Sequence, residues 1–269
     1  MNLKNHSRFV FSKLLVIAAT CLTFQSVHAT VLFQEGFIYT SGGNLGGKVN
    51  PGSGDAWNPG NNGLTIGSGS LTYPGLQNLG GNDLSVAWAT AGSATNGFTT
   101  VTSGQIYYSF LLDVTTIPGT NAYLTSLNPG TTTPNGSSDA INAYIYANGK
   151  IELRTAGESA VAGPTLSLNT TYLVVLEYDF ATTTANLFLN PTAGGSQPAA
   201  TVSLAGSGTV TSIDNVGFKS QATTGDFLVD NLLIGTTWTD VTPVPEPSAL
   251  ALAGFGLLGF AARFRRGRE

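Results

Sequence analysis

Residues 105–114 read QIYYSFLLDV, and this stretch constrains the fold more than any other. In an extended chain Ile106, Tyr108, Phe110, Leu112 and Val114 share one face, while Gln105, Ser109 and Asp113 lie on the other with Tyr107 and Leu111. A helix returns to the same face every three to four residues and cannot sort these side chains; a strand, with its period of two, does. The segment is predicted to be a β-strand buried on one side. LSVAWA groups Leu84, Val86 and Trp88 in the same way, and TYLVVLEYD, ANLFLN, TVTSIDNVGF and DFLVDNLLIG supply further strands. Gly, Thr, Ser and Asn fill the intervals as turn formers. No helical period and no fixed internal repeat interrupts the series, so the predicted fold class is all-β, a two-sheet antiparallel jelly-roll sandwich. A span of about 210 residues, 30–241, fits one such domain and is long enough to bury a core without disulfides.

INAYIYANGKIELRT carries the sharpest local signal, Asn148-Gly149 between two alternating runs. A two-residue type I′ turn there would pair Ala147 with Lys150, Tyr146 with Ile151, Ile145 with Glu152 and Tyr144 with Leu153. Directly opposed residues share a face, so Tyr144 and Tyr146 would join Ile151 and Leu153. That company predicts core packing for the two tyrosines rather than an open sugar-stacking platform.

The ends obey different physics. Lys4, Arg8 and Lys13 precede the apolar LLVIAATCLTF, and SVHA follows, the pattern of a secretory signal over residues 1–29 cut between Ala29 and Thr30. A lipoprotein signal is the rival because Cys21 is present, but Thr20 stands where a small Gly, Ala or Ser is usual. Cleavage removes the only cysteine, Cys21, and both histidines, His6 and His28. The exported part is then without a Ser-His-Asp or Cys-His site, a Cys/His zinc site or a disulfide. Between Thr30 and Thr242 the chain has four basic residues (Lys48, Lys150, Arg154, Lys219) against thirteen acidic ones, a net charge of −9. Such a body is ill suited to nucleic acid, whose phosphates call for a basic surface.

LFQEGFIYTSGGNLGG, GSLTYPGL, YYSFLLDV and VDNLLIGTTWTDV together resemble exported bacterial domains of the concanavalin A-like lectin/glucanase superfamily. The resemblance implies a jelly-roll and sugar binding. Chemistry without His or Cys would have to run on carboxylates, and glycoside hydrolysis requires two. Glu177 and Asp179, two apart on one strand, are the candidate pair. Laminarinase-like members of the superfamily carry Glu-x-Asp-x-x-Glu, and here the last position is Thr182, so the acid that protonates the leaving group is missing. Glu177 is therefore expected on a solvated face and Asp179 as the cap of the turn that follows; the protein is expected not to be an enzyme. The same resemblance allows calcium, for which Asn82-Asp83, Asp214-Asn215 and Asp230-Asn231 offer oxygen atoms, although as Asx residues near strand ends they are also ordinary turn formers. Trp57, with Asp55 and Asn58 in GSGDAWNPGNNG, is the candidate ligand-binding group. It would either stack on a sugar or fold back as a plug on a sheet edge.

From Ala249 to Ala262 the chain is apolar, and Arg263, Arg265, Arg266 and Arg268 follow. Fourteen helical residues span about 21 Å, short of the ~30 Å of a bilayer core, although flanking arginines can snorkel. The arginines place the tail on the cytoplasmic side. Pro245, Glu246 and Pro247 stand just ahead, where the prolines hold the backbone extended and strip it of amide donors. The whole of 242–269 resembles the PEP-CTERM sorting signal. That resemblance implies recognition by exosortase, a membrane-embedded protease or transpeptidase, a transient short membrane helix, and delivery to the cell surface or matrix, where exopolysaccharide is a further expected partner.

Overall fold

A computed structural model describes residues 31–58, 63–130, 134, 138–208, 210–221 and 224–245. The expected signal helix, the Ala29-Thr30 junction, the apolar tail helix and its four arginines lie outside the described residues, as do Glu246 and Pro247. The strands in chain order are β1 (Val31–Glu35), β2 (Leu64–Ile66), β3 (Leu84–Ala87), β4 (Gly92–Val101), β5 (Gln105–Thr116), β6 (Ala122–Asn128) and β7 (Ile141–Ile145). They continue as β8 (Lys150–Thr155), β9 (Val161–Thr165), β10 (Thr171–Asp179), β11 (Thr184–Leu189), β12 (Val202–Ala205), β13 (Ile213–Ser220) and β14 (Asp226–Gly235). One helical turn, α1 (Trp238–Val241), closes the series.

All pairings are antiparallel, and they make two sheets. The eight-stranded sheet runs β12-β11-β10-β5-β14-β3-β2, with β1 also on β14, and the six-stranded sheet runs β4-β13-β6-β7-β8-β9. Neighbours distant in sequence, such as β5 with β14 and β4 with β13, show the chain crossing repeatedly between sheets, in keeping with the jelly-roll expectation. Asn231, in the left-handed region at φ 55, kinks β14, so that its first half pairs with β3 and its second with β1.

The core lies between the sheets, and the alternating residues fill it as expected: Ile106, Tyr108, Phe110, Leu112 and Val114 from β5, with Leu84, Val86 and Trp88 from the β3 region. The other face of β5 departs from the one-sided prediction. Tyr107 and Leu111 are buried in a second apolar cluster with Leu173, Val175, Phe188, Trp238 and Val241, on the outside of the eight-stranded sheet. This layer forms because α1 and the chain around Leu71 and Leu76 fold back over that sheet, supplying apolar partners on both sides of β5 and β10.

The hairpin differs from prediction by one residue. Tyr146 closes it with Lys150, its amide donating to the Lys150 carbonyl at 2.9 Å, and the Gly149 amide donates to the Tyr146 carbonyl at 2.8 Å. Only Gly149 of the three loop residues has a positive φ, 76, which marks a three-residue loop with a glycine bulge rather than type I′. Ile145 now faces Ile151, Ala143 faces Leu153 and Tyr144 faces Glu152. The reason is burial: this register puts Ala143, Ile145, Ile151 and Leu153 all into the core, whereas the predicted one would have set Glu152 opposite Ile145. Tyr144 and Tyr146 accordingly stand on the outside of the six-stranded sheet, half-buried, and not in the core.

Candidate functional site

The site is built around a carboxylate. Glu35, at the end of β1, is 1% exposed. Its Oε1 accepts the Phe37 amide at 2.7 Å, and its Oε2 accepts the Tyr39 hydroxyl at 2.7 Å, Asn50 Nδ2 at 2.9 Å and Trp57 Nε1 at 3.0 Å. Four donors offset the desolvation of this charge. Burial, followed by the hydrogen bond and charge of Glu35, pushes the Tyr39 hydroxyl far above its ordinary range.

Trp57 is thereby drawn inside. It is wholly buried, edge-on to Phe33 at 6.0 Å and tilted against Phe218 at 5.8 Å. Of the two expectations, the exposed stacking platform is corrected: a ring with no free face cannot stack on a sugar. The plug is the arrangement found. Its backbone is held by Lys48 and Gly47, the Trp57 amide donating to the Lys48 carbonyl and the Gly47 amide to that of Trp57, each at 2.8 Å. The Asn58 amide then docks on the Thr95 carbonyl of edge strand β4 at 2.8 Å.

That docking leaves a cleft of ≈ 490 Å³ at the edge of the six-stranded sheet, lined by Gly47, Asp55, Ala56, Trp57, Asn58, Thr95, Asn96, Gly97 and Asn215. The volume is within the range of about 300–1,000 Å³ usual for small-molecule sites. Asp55 and Asn58 both line it, with Trp57 as wall rather than platform. Asn215 points outward from β13 between Gly97 and Asn128, its neighbours in register. Gly97 offers no side chain beside Asn215. Asn215 is 1% exposed, yet its Oδ1 has no hydrogen-bond partner in the protein. The Asn96 amide donates to the Asp55 carbonyl at 3.2 Å and braces the opposite wall. The polar groups of the lining are the amides of Asn58, Asn96 and Asn215 and the Thr95 hydroxyl, with Asp55 the single charge, set in a partly apolar wall. Two other pockets, of ≈ 70 Å³ beside Glu35 and ≈ 90 Å³ beneath Tyr73, are far smaller. Sequence reasoning read Asn215 only as half of an oxygen pair, and nothing local reveals that Gly97 lies opposite it.

The Glu177–Asp179 pair is placed differently from expectation in one respect. Asp179 caps its turn as predicted, Oδ1 accepting the Ala181 amide at 2.8 Å and the Thr182 amide at 3.3 Å. Glu177 is not solvated but 2% exposed, its Oε2 accepting Asn186 Nδ2 at 3.1 Å and Gln197 Nε2 at 3.0 Å. The segment carrying Gln197 covers it. Burial, with the Glu177 charge behind it, raises the Tyr107 hydroxyl well above its ordinary range.

Of the oxygen pairs considered for calcium, Asp214 and Asp230 accept N–H and O–H donors, whereas Asp83 Oδ1 and Asn215 Oδ1 have no hydrogen-bond partner. Asp214 Oδ1 accepts the Gly130 amide at 2.5 Å. Asp230 accepts the Leu71 amide at 2.8 Å, the Ser70 hydroxyl at 2.9 Å and the Asn231 amide at 2.6 Å. Asn82 Nδ2 donates to the Tyr39 carbonyl at 2.7 Å. Among the described residues no three His, Cys, Asp or Glu gather as metal ligands.

At the C-terminal end α1 is fastened to the outside of the eight-stranded sheet. Trp238 Nε1 donates to the Gly195 carbonyl at 3.0 Å and the Ser109 hydroxyl to the Val241 carbonyl at 2.6 Å. The Gly194 amide reaches the Thr242 carbonyl and the Gln77 amide the Pro243 carbonyl, each at 2.8 Å. Beyond this clamp Val244 and Pro245 are exposed. Residues 243–266 match the protein-sorting motif. The tail is a PEP-CTERM signal. PEP-CTERM signals mark proteins for export to the cell surface and for processing by exosortase, a membrane enzyme, so this chain is an exported one. The PEP-CTERM segment begins at Pro243, whose carbonyl the folded body still holds. Among the described residues no helix is long and apolar enough to cross a membrane.

No curated protein sequence matches the chain. Among solved structures, a sialidase superposes with a TM-score of 0.52 at 11% identity over 79% of this chain and 19% of its own. A Trypanosoma rangeli sialidase bound to a 2,3-difluoro-KDN compound (TM-score 0.43, 11% identity, 64% and 27% covered) superposes less well. So does the botulinum neurotoxin serotype G binding domain (TM-score 0.43, 12% identity, 71% and 46% covered). The chain thus spans about a fifth of the first of these proteins, and the likeness shows the β-sandwich fold alone.

Proposed function

We propose that this exported protein is a non-catalytic component of the cell surface or extracellular matrix that holds a carbohydrate, such as an exopolysaccharide, in the Asn215 cleft. The observation that carries the reading is the buried, unpartnered Asn215 Oδ1 in an amide-lined cleft of ≈ 490 Å³. A buried acceptor without a donor costs about 1–3 kcal/mol, which a ligand hydroxyl would recover. The buried Glu177 and the turn-capping Asp179 support binding over hydrolysis, since both carboxylates are committed to holding local structure. The apolar tail and its arginines serve as a transient anchor, gripped at Pro245-Glu246-Pro247 by exosortase. The test is a glycan array with the exported protein, run with and without calcium, beside Asn215→Ala. Wild type should retain a defined set of neutral glycans, and Asn215→Ala should bind them about 3–10-fold more weakly. Blank arrays, or equal binding by the variant, would refute the reading.

A further inference from the structure

Three of the four cations between Thr30 and Thr242 stand on one surface, the outside of the six-stranded sheet. Lys150 and Arg154 alternate with Glu152 along β8, and Lys219 projects from β13. Lys219 is already engaged: its Nζ donates to the Pro134 carbonyl at 3.1 Å and lies 5.8 Å from the centre of the Tyr123 ring. Lys150 and Arg154 are the cations left facing outward, on a body whose other charges are mostly negative.

The hairpin register puts aromatic rings beside them. Tyr146 is the closing partner of Lys150, and Tyr144 lies opposite Glu152. The Arg154 Nε donates to the Glu158 carbonyl at 2.9 Å. Tyr144 is fixed by an edge-on contact with Tyr123 at 5.1 Å. Glu152 is the opposing charge on the strip; it is buried and stands between Lys150 and Arg154 on the same face of β8.

We propose that this strip is a subsite for an acidic saccharide, a uronate-bearing polysaccharide whose carboxylate meets Arg154 and Lys150 while Tyr144 and Tyr146 pack against the sugar rings. The planar guanidinium of Arg154 suits a carboxylate, which arginine can meet with two parallel bonds. Half-exposed tyrosines supply the apolar body and polar tip that sugar faces require. The inference rests on the reading that the six-stranded sheet takes glycan and adds the charge of that glycan. The two are separable because the strip lies across the sheet from the cleft, on β7 and β8 rather than β4 and β13.

The experiment measures affinity of the exported protein for polygalacturonate and for a neutral polysaccharide found on the array. Wild type should bind polygalacturonate, and more weakly as salt rises from about 0.1 M to about 1 M, where the screening length falls from about 10 Å to about 3 Å. Arg154→Gln and Lys150→Gln should each lose about 3–10-fold toward polygalacturonate and nothing toward the neutral polymer. Glu152→Gln should strengthen polygalacturonate binding, which a merely structural role would not produce. Lys150→Gln covers the case in which Arg154→Gln misfolds. Neutral binding with no response to polygalacturonate would overturn the subsite and leave the cleft standing. Loss of both polymers in the Arg154 and Lys150 variants, or no binding of either polymer, would overturn it as well.

Discussion

Asp83 and Asp230 face each other one position beyond the Leu84–Val229 pair of β3 and β14. Both are buried, at 4% and 1% exposure, and Asp83 Oδ1 has no hydrogen-bond partner. The backbone at Gly67 and Gly69 presses on the same carboxylate so closely that an added Cβ would come within 1.6 Å of Oδ1 and 2.6 Å of Oδ2. Burial pushes Asp230 up to about 6 from 3.8, with the Asp83 charge adding to the rise and the Leu71, Ser70 and Asn231 hydrogen bonds opposing it. Burial likewise raises Asp83, Asp113 and Glu152. A carboxyl whose folded value exceeds its unfolded one binds its proton more tightly in the native state. Its contribution to stability is therefore full below the unfolded value and is lost as pH rises through the folded one. For Asp230 alone, linkage gives a loss of about 1.3 kcal/mol between roughly pH 5 and pH 7, and on the order of 3 kcal/mol over the whole range. The melting temperature should fall by about 3–5 °C between those two pH values. Urea unfolding at each pH, read by tryptophan fluorescence, measures this directly. Asp83→Asn, which removes the neighbouring charge, should move the transition to lower pH. Stability that is flat or rises from pH 5 to pH 7, with the slope unchanged in Asp83→Asn, would refute the argument.

Trp57→Phe removes the indole donor from Glu35 and should cost about 1–3 kcal/mol, read as a lower urea midpoint. The loosened 55–58 segment should weaken neutral glycan binding in parallel, and an unchanged midpoint would show that the carboxylate does not organise this loop. Glu177→Gln turns an acceptor of two amide donors into a partly mismatched amide and should lower stability by a similar amount. Any glycan turnover by the protein should be the same in this variant; turnover abolished by it would revive hydrolysis.

Periodicity made the sandwich legible because side chains that alternate in or out of water are a property of each strand alone. The faces of β5 that carry Tyr107 and Leu111 were misread because their partners, Trp238 and Val241, are far away in sequence and become a layer only when the chain folds back. The hairpin shows a different limit. Asn148-Gly149 is compatible with two loops, and local turn chemistry prefers the shorter; four core-facing residues in Ala143, Ile145, Ile151 and Leu153 outweigh that preference. Trp57 could be read as plug or platform until Glu35, twenty-two residues away, supplied the acceptor that draws it in. Asp55 and Asn58 were legible as loop polar groups, but the cleft they border needs Asn215 and Gly97, which only sheet register brings together.

The same register decides where binding surface and sorting signal stand relative to each other. Clamped by Ser109, Gly194 and Gln77, the chain leaves the body at Pro243 from the outside of the eight-stranded sheet. Asn215, Tyr144 and Arg154 project from the outside of the other sheet, with the whole core between. The proposed glycan-binding surface therefore lies on the opposite side of the sandwich from the start of the PEP-CTERM segment, so a partner holding the chain at Pro243 would leave that surface uncovered.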